Sequence, residues 1–444
     1  MADNIDDSSK NSNFSGNLSG EIEPGEICVL FVMPEAEPKA RDWSKRLFAS
    51  FKSSLGTRLV PFATNSYNGA QIIIEEGLGG VLPDAVLFGP GSTVDIQMLA
   101  ASGALLDLAP FMGEDGGLGF CPDDYFPAVL DAGFINGGQY IMPFSFSLPL
   151  VFTSEERLLE EGLQLEGLNG RRTLEYLSEY INLHANAEKR AVTTDHISSS
   201  DIALSLAGLK FIDYEEMVLA FRREQLEYCA NLARSLHSQD ILRPLEEVAS
   251  HSSPETRMDA LINSADIQIS TYYNSPWQVG RLAYRYKKAD EDMRLFCVPA
   301  AGETDSYEAK MSSYGVALAS TENPKAAAEV LFFLAGNPGG LMDDHAISAN
   351  RKVTEEHIKY LSGFENQDAV SISFSGDISA EYSHILENIA HCTILDDSYA
   401  ISQASARLKP YIESESTFDE CAALLDEDLS DYIEEQLSPL SSGN

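Results

Sequence analysis

Asp131 to Gly162, DAGFINGGQYIMPFSFSLPLVFTSEERLLEEG, is where the fold is most readable. Asn136-Gly137-Gly138 is a turn signal, and Gln139-Tyr140-Ile141-Met142 reads as a short strand arriving at Pro143. Leu148, Leu150 and Phe152 alternate with Pro149 and Val151, which predicts a second extended run. Thr153 or Ser154 can cap a helix that begins at Glu155 and ends near Gly162. A strand, an irregular polar and aromatic crossing, a strand and a capped helix make a passage between two lobes. Pro143 and Pro149 stiffen it, which suits a defined hinge. An ordinary connection inside one large α/β domain would carry the same pattern.

Toward the N-terminus, residues 1–26 are polar and read as a disordered tether. Ile27 to Met33 is a continuous apolar run of buried-strand length, broken at Pro34. Trp43, Leu47, Phe51 and Leu55 recur at helical spacing and Gly56 stops them. A strand at Thr57 to Ala63, a helix from about Ser66 to Glu76, a strand at Ala85 to Phe88 and a helix at Thr93 to Ala101 follow. Strand and helix alternating at this spacing predict a mainly parallel sheet covered on both faces.

Toward the C-terminus the text from Leu158 to Asp290 is mainly helical. Met217, Phe221, Leu226, Cys229, Ala233 and Leu236 form a core-facing stripe over Phe211 to Leu236. Ala265 to Ser270 reads as a strand leading into a polar aromatic loop, Thr271 to Trp277. Arg294 to Pro299 and Gly315 to Leu318 are further strands, and Asn323 to Leu334 is a helix with Pro324 in its first turn. Phe418, Cys421, Ala422, Leu425, Leu429, Tyr432 and Ile433 make one helical face, opposite a row of carboxylates without a basic residue.

A chain of 444 residues exceeds one ordinary core. Its 69 acidic residues against 30 basic ones give a formal net charge of −39, which argues against nucleic-acid and anionic-lipid partners. That charge is expected on a surface that keeps the protein monomeric. Lys39, Arg41, Lys45 and Arg46 could meet acidic patches on a partner. The six cysteines, Cys28, Cys121, Cys229, Cys297, Cys392 and Cys421, stand far apart and outside any metal-like spacing. They read as core thiols rather than a disulfide framework. No run is long and apolar enough to span a membrane, and no signal peptide is seen.

Catalytic signatures are missing: there is no HExxH, G-x-S-x-G, Walker or Rossmann glycine set. The eight histidines never pair at ligand spacing, and no two carboxylates are singled out for glycoside hydrolysis. Gly89-Pro90-Gly91-Ser92-Thr93 could cradle an anion at a helix start, or be a plain turn with Ser92 as N-cap. Neither a metal nor a cofactor is expected.

Several runs resemble the extracellular solute-binding proteins of family 1, the maltose-binding type. Gly138-Gln139-Tyr140-Ile141-Met142-Pro143 resembles the family's Gly-Lys-x-Tyr-x-x-Pro before its first interlobe crossing, and Phe152-Thr153 stands where Tyr-Asn is usual. Leu82-Pro83-Asp84-Ala85-Val86 and Ser102-Gly103-Ala104-Leu105-Leu106-Asp107-Leu108 are the sharpest local matches. Asn323-Pro324 through Phe333-Leu334 and Thr417-Phe418-Asp419-Glu420-Cys421-Ala422 also agree, so the match runs in order over roughly residues 26–440. Leu174 replaces a family Trp, Asn337-Pro338-Gly339-Gly340 lacks the usual Ser-Pro-Glu, and Ile347-Ser348-Ala349-Asn350-Arg351 lacks a Pro.

The resemblance implies a two-lobed α/β fold of the periplasmic-binding-protein type II kind, with three crossings near Phe144–Ser147, Tyr307–Ser313 and Ala346–Val353. Lobe 1 is expected over 27–143 with 312–348, and lobe 2 over 144–311 with 349–440. It also implies a non-enzymatic, extracytoplasmic protein that binds a mono- or oligosaccharide and delivers it to the permease subunits of an ABC transporter. The membrane would be reached only through a lipid anchor missing from this chain, Met1-Ala2 either standing in place of a signal peptide or being a true cytoplasmic N-terminus. A glycan-processing hydrolase and a non-transport surface module are the alternatives.

Sugars present apolar C–H faces rimmed by hydroxyls, so their sites combine flat aromatics with amides, hydroxyls or carboxylates. Those types gather at expected strand ends and crossings: Glu35, Tyr67, Asn68, Ser92, Phe144, Ser145, Tyr272, Tyr273, Asn274, Trp277 and Tyr314. By family position Trp277 and the aromatics beside it would stack on the sugar, and Phe88 to Ser92 would line the first-lobe wall. Core packing is the competing role for each aromatic.

Overall fold

The computed structural model describes residues 26–32, 51, 58–64, 83–89, 96–113, 118–160, 192–194, 211–213, 218–238, 242–244, 267–270, 274–297, 306–337, 346–363, 372, 374–394 and 398–441. The helices expected at 43–55 and 66–76 lie almost wholly outside these residues.

In chain order the elements begin with β1 (Glu26–Val32), β2 (Arg58–Thr64), β3 (Ala85–Phe88), α1 (Ile96–Ala101), α2 (Pro127–Asp131), β4 (Phe134–Ile135) and β5 (Gly138–Gln139). Next come β6 (Met142–Ser147), β7 (Leu150–Ser154), α3 (Glu155–Glu160), β8 (Val192–Thr194), β9 (Ile212–Asp213), β10 (Val218–Leu219) and α4 (Arg223–Ser238). They continue with β11 (Leu242–Pro244), β12 (Ile267–Ser270), α5 (Pro276–Lys288), β13 (Met293–Cys297), β14 (Tyr307–Ala317) and α6 (Pro324–Gly336). The last are β15 (Ile347–Ser348), α7 (Arg351–Ser362), α8 (Gly376–Glu387), β16 (Ile389–Thr393), α9 (Ser398–Ile412) and α10 (Phe418–Ser441). Contacts divide the chain into two compact units, Met1–Ser145 with Met311–Asp343, and Phe146–Lys310 with Asp344–Asn444.

In the first unit the strands lie in the order β2-β1-β3-β14-β6. β1 pairs in parallel with both β2 and β3, and its residues from Ile27 to Val32 are buried. A central strand has no solvent face, which is why its sequence does not alternate. β14 runs antiparallel to β3, with Tyr314 opposite Phe88 and Ala317 opposite Ala85. The sheet is therefore mixed: β1, β2 and β3 are parallel as expected, and β14 returns against them, a parallel return needing a helical crossover. Asp84 and Asp107 sit in the two sharpest resemblance motifs and act on backbone. Asp84 accepts from the Cys28 N–H at 2.8 Å, and Asp107 Oδ1 accepts from Ala109 and Gln139 N–H groups at 2.9 Å each.

α6 has Pro324 in its first turn, as its sequence predicts, and buries Ala326 through Phe332. Phe332 stacks on Phe120, their ring centroids 4.5 Å apart, and Phe120 stacks in turn on Tyr125 at 4.8 Å. Gly315 lets the β14 backbone approach this layer. A Cβ there would lie 2.6 Å from Leu331 Cδ2 and 2.7 Å from Phe144 Cζ. Gly315→Ala is expected to destabilise the protein by about 1–3 kcal/mol through overpacking, read as a lower urea midpoint at unchanged m.

The second unit holds a sheet of order β11-β8-β12-β7-β13. β11 and β12 flank β8 in parallel, whereas β7 is antiparallel to both β12 and β13. β12, α5 and β13 thus form a crossover that straddles β7, and this sheet too is mixed. Ser154 ends β7 and caps α3, its Oγ accepting the Arg157 N–H at 3.3 Å. The passage expected to be irregular is a strand, β6, buried from Met142 to Phe146.

The stripe expected as one helix over Phe211 to Leu236 is instead a hairpin followed by a helix. Val218 and Leu219 pair antiparallel with Asp213 and Ile212, Phe211 meets Phe221 at 5.6 Å, and α4 starts only at Arg223. Short apolar runs fit a strand or a helix equally, and here the aromatic and β-branched residues favour the hairpin. α4 then packs with α9 and α10 around Leu226, Cys229, Ala404, Leu408, Cys421 and Leu425. The acidic face of α10 lies outside this core.

No disulfide joins the six cysteines. Cys28, Cys229, Cys297 and Cys421 are buried, Cys392 is half-buried and Cys121 is exposed, so core thiols describe four of the six. Burial, with Asp84 adding to it at Cys28, pushes the thiols of Cys28 and Cys229 up to about 12. A disulfide reagent at mildly alkaline pH should therefore modify Cys121 first and reach Cys28 and Cys229 only on unfolding, which mass mapping of the labelled peptides will check.

Candidate functional site

Ser275 is the N-cap of α5, its Oγ accepting the Gln278 N–H at 3.3 Å, and Pro276 occupies the first helical turn. Pro at that position loses no hydrogen bond, because the first N–H groups of a helix have no intrahelical acceptor. Trp277 is therefore on a capped helix start rather than in a free loop. Its ring is 37% exposed and lies 6.1 Å, at 49°, from Tyr360 of α7, which is 57% exposed. Among the described residues Phe134 and Tyr228 are also exposed, but Trp277 and Tyr360 are the two that are neighbours.

Asn274 is fully buried. Its Oδ1 accepts the Leu148 N–H at 2.6 Å, its Nδ2 donates to the Ser270 carbonyl at 3.4 Å, and its own carbonyl accepts the Tyr382 hydroxyl at 2.6 Å. The amide expected to face a ligand is engaged within the fold.

In the first unit Phe88 and Tyr314 face each other across β3 and β14, ring centroids 4.9 Å apart, and both are buried. Phe144 is buried close to them at Gly315, and Ser145 shares a 2.6 Å hydroxyl–hydroxyl hydrogen bond with Ser313. Glu35, Tyr67, Asn68, Ser92, Tyr272 and Tyr273 lie outside the described residues. So do Lys39, Arg41, Lys45 and Arg46.

Tyr360 and Tyr382 are absent from the sequence-based set. Thr354, Ile358 and Leu361 form the buried side of α7, and Tyr360 falls off it. A lone off-stripe tyrosine carries no signal until its neighbour is known. Tyr382 lies 108 residues from Asn274 in the chain.

In the second unit a hollow of about 570 Å3 is lined by Glu155, Lys287, Glu291, Asp292, Arg294, Asp377 and Glu381, with Ala283, Met293 and Ile378. Two of its carboxylates are held by arginines. Arg294 holds Glu381 at 2.6 Å and Arg157 holds Glu291 at 2.7 Å. Burial pushes the Glu381 carboxyl up, against the opposing pull of the Leu295 N–H and Arg294. None of the expected ligand residues lines it. Among the described residues no group of three or more His, Cys, Asp or Glu could hold a metal ion, and no helix is long and apolar enough to cross a membrane.

The α/β fold, with its mixed sheets, is that of the extracellular solute-binding proteins. A family 1 extracellular solute-binding protein from Alicyclobacillus acidocaldarius superposes with a TM-score of 0.60 at 16% identity, covering 92% of this chain and 98% of that one. A periplasmic oligogalacturonide binding protein from Yersinia enterocolitica gives 0.62 at 12% identity, covering 93% and 100%. An ABC substrate-binding protein from Listeria monocytogenes, in complex with cycloalternan, gives 0.59 at 12% identity, covering 93% and 99%. No protein-family model and no curated protein sequence matches the chain.

Proposed function

We propose that this chain is the extracytoplasmic binding component of an ABC importer, that its ligand is a neutral sugar or oligosaccharide, and that its two units serve as the lobes of the binding protein. It performs no chemistry on what it binds. The observation that carries the reading is the exposed Trp277, presented by the capped start of α5, with the exposed Tyr360 of α7 beside it. An indole and a phenol inclined at 49° offer two apolar faces meeting at an angle, each with a polar edge, and either face can take the C–H face of a pyranose while the polar edges meet its hydroxyl rim. The fold supports it, because similar structures are those of proteins described as binding cycloalternan, oligogalacturonide and β-D-galactopyranose. A net charge of −39 disfavours a polyuronate and leaves neutral glycans as the fitting class.

Calorimetric titration against neutral and uronate glycans, with recovery of the bound sugar, tests this. Saturable binding of a neutral glycan recovered intact is expected. Turnover of the bound glycan, or no saturable binding across the panel, would sink the proposal.

A further inference from the structure

We infer that Asn274 and Tyr382 are positioning residues for the Trp277 ring: they fasten the helix start that presents it, Asn274 to the segment following the unit boundary at Ser145/Phe146 and Tyr382 to α8. This rests on the reading of Trp277 as a ligand contact. Trp277 is the second residue of α5, so its direction is set by the backbone of Asn274 and Ser275 just ahead of it. That backbone is held from three sides. Leu148 N–H reaches the Asn274 side chain from 126 residues away, Tyr382 reaches the Asn274 carbonyl from 108 away, and the Ser270 carbonyl accepts from the Asn274 Nδ2.

Every group in the set is buried: Leu148, Asn274 and Tyr382 are 0% exposed and Ser270 is 1%. Water cannot substitute for a broken member, so each bond favours one backbone geometry over its neighbours. Burial also pushes the Tyr382 phenol far up, which keeps it a neutral donor. The Ser275 cap fixes the first turn but not where that turn sits, and that placement comes from Leu148 and Tyr382. One consequence follows. A shift of the backbone around Leu148 is passed to the Trp277 helix through a single amide.

Trp43 and Trp277 are the only tryptophans, so Trp43→Phe leaves Trp277 as the sole indole and its emission reports on the ring without any ligand. In that background Tyr382→Phe removes one oxygen and Asn274→Ala removes the clamp. Both are expected to shift the emission and raise acrylamide quenching while far-UV circular dichroism stays native, and to weaken glycan binding roughly tenfold. Tyr228→Phe, at an exposed tyrosine of α4, is the control and should change neither. If Asn274→Ala fails to fold, Tyr382→Phe decides alone. Unchanged emission and quenching in folded Tyr382→Phe would overturn the inference. Changed emission with unchanged glycan affinity would uphold the positioning role and remove Trp277 from the ligand.

Discussion

Trp277→Ala is expected to weaken glycan binding by about 2 kcal/mol or more, at least roughly thirtyfold, while costing only about 1 kcal/mol of stability. The asymmetry follows from where the ring sits. At 37% exposure it carries little of the core, and its neighbour Tyr360 is more exposed still. A bound pyranose would bury the face that water now touches, and truncation forfeits that whole contact. Tyr360→Ala should weaken binding less, since a more exposed ring is easier to rehydrate. Calorimetry under folded conditions and the urea midpoint, measured on the same preparations, check both variants. A large fall in midpoint with unchanged affinity of the folded fraction would return Trp277 to the core.

Tyr314→Ala should behave in the opposite way, losing about 3–5 kcal/mol of stability and leaving the affinity of the folded fraction intact. Tyr314 is 2% exposed, sits opposite Phe88 in the β3–β14 pair and packs on its ring at 4.9 Å. Truncation opens a cavity in a layer where Gly315 already brings backbone, Leu331 and Phe144 into close contact. That layer has little freedom to collapse into the space. Equilibrium unfolding in urea reads the loss. A near-parental midpoint with binding abolished would instead make Tyr314 a ligand residue.

The sequence is legible where one physical demand acts alone. β1, β3 and the body of α6 from Ala326 are mostly apolar because they are buried, and Pro324 marks a helix start for want of an N–H. The direction of β7 and β14 is not legible, because pairing direction follows the path of the chain rather than any residue preference. β9 and β10 are two residues each, too short to show a period. In the candidate site Trp277 reads as part of a polar aromatic loop, and only the Ser275 cap with Pro276 in the first turn shows it to be on a helix start. Asn274 is misleading for a physical reason: its donor and acceptor serve a ligand or a neighbouring backbone equally well. Only the burial of Leu148 and Tyr382 around it shows which.

α10 closes the core of its unit with Cys421, Leu425 and Leu429 and turns carboxylates outward. Arg223 meets Asp419 and Arg407 meets Asp428, but Glu427 and Asp431 add to the same face. Two copies approaching along it would first press together their clouds of sodium and potassium, long before any side chains touched. The helix is thus a fender as well as a beam. Its inner edge carries packing, and its outer edge sets how closely like molecules can crowd, a distance that shrinks as the surrounding medium grows saltier.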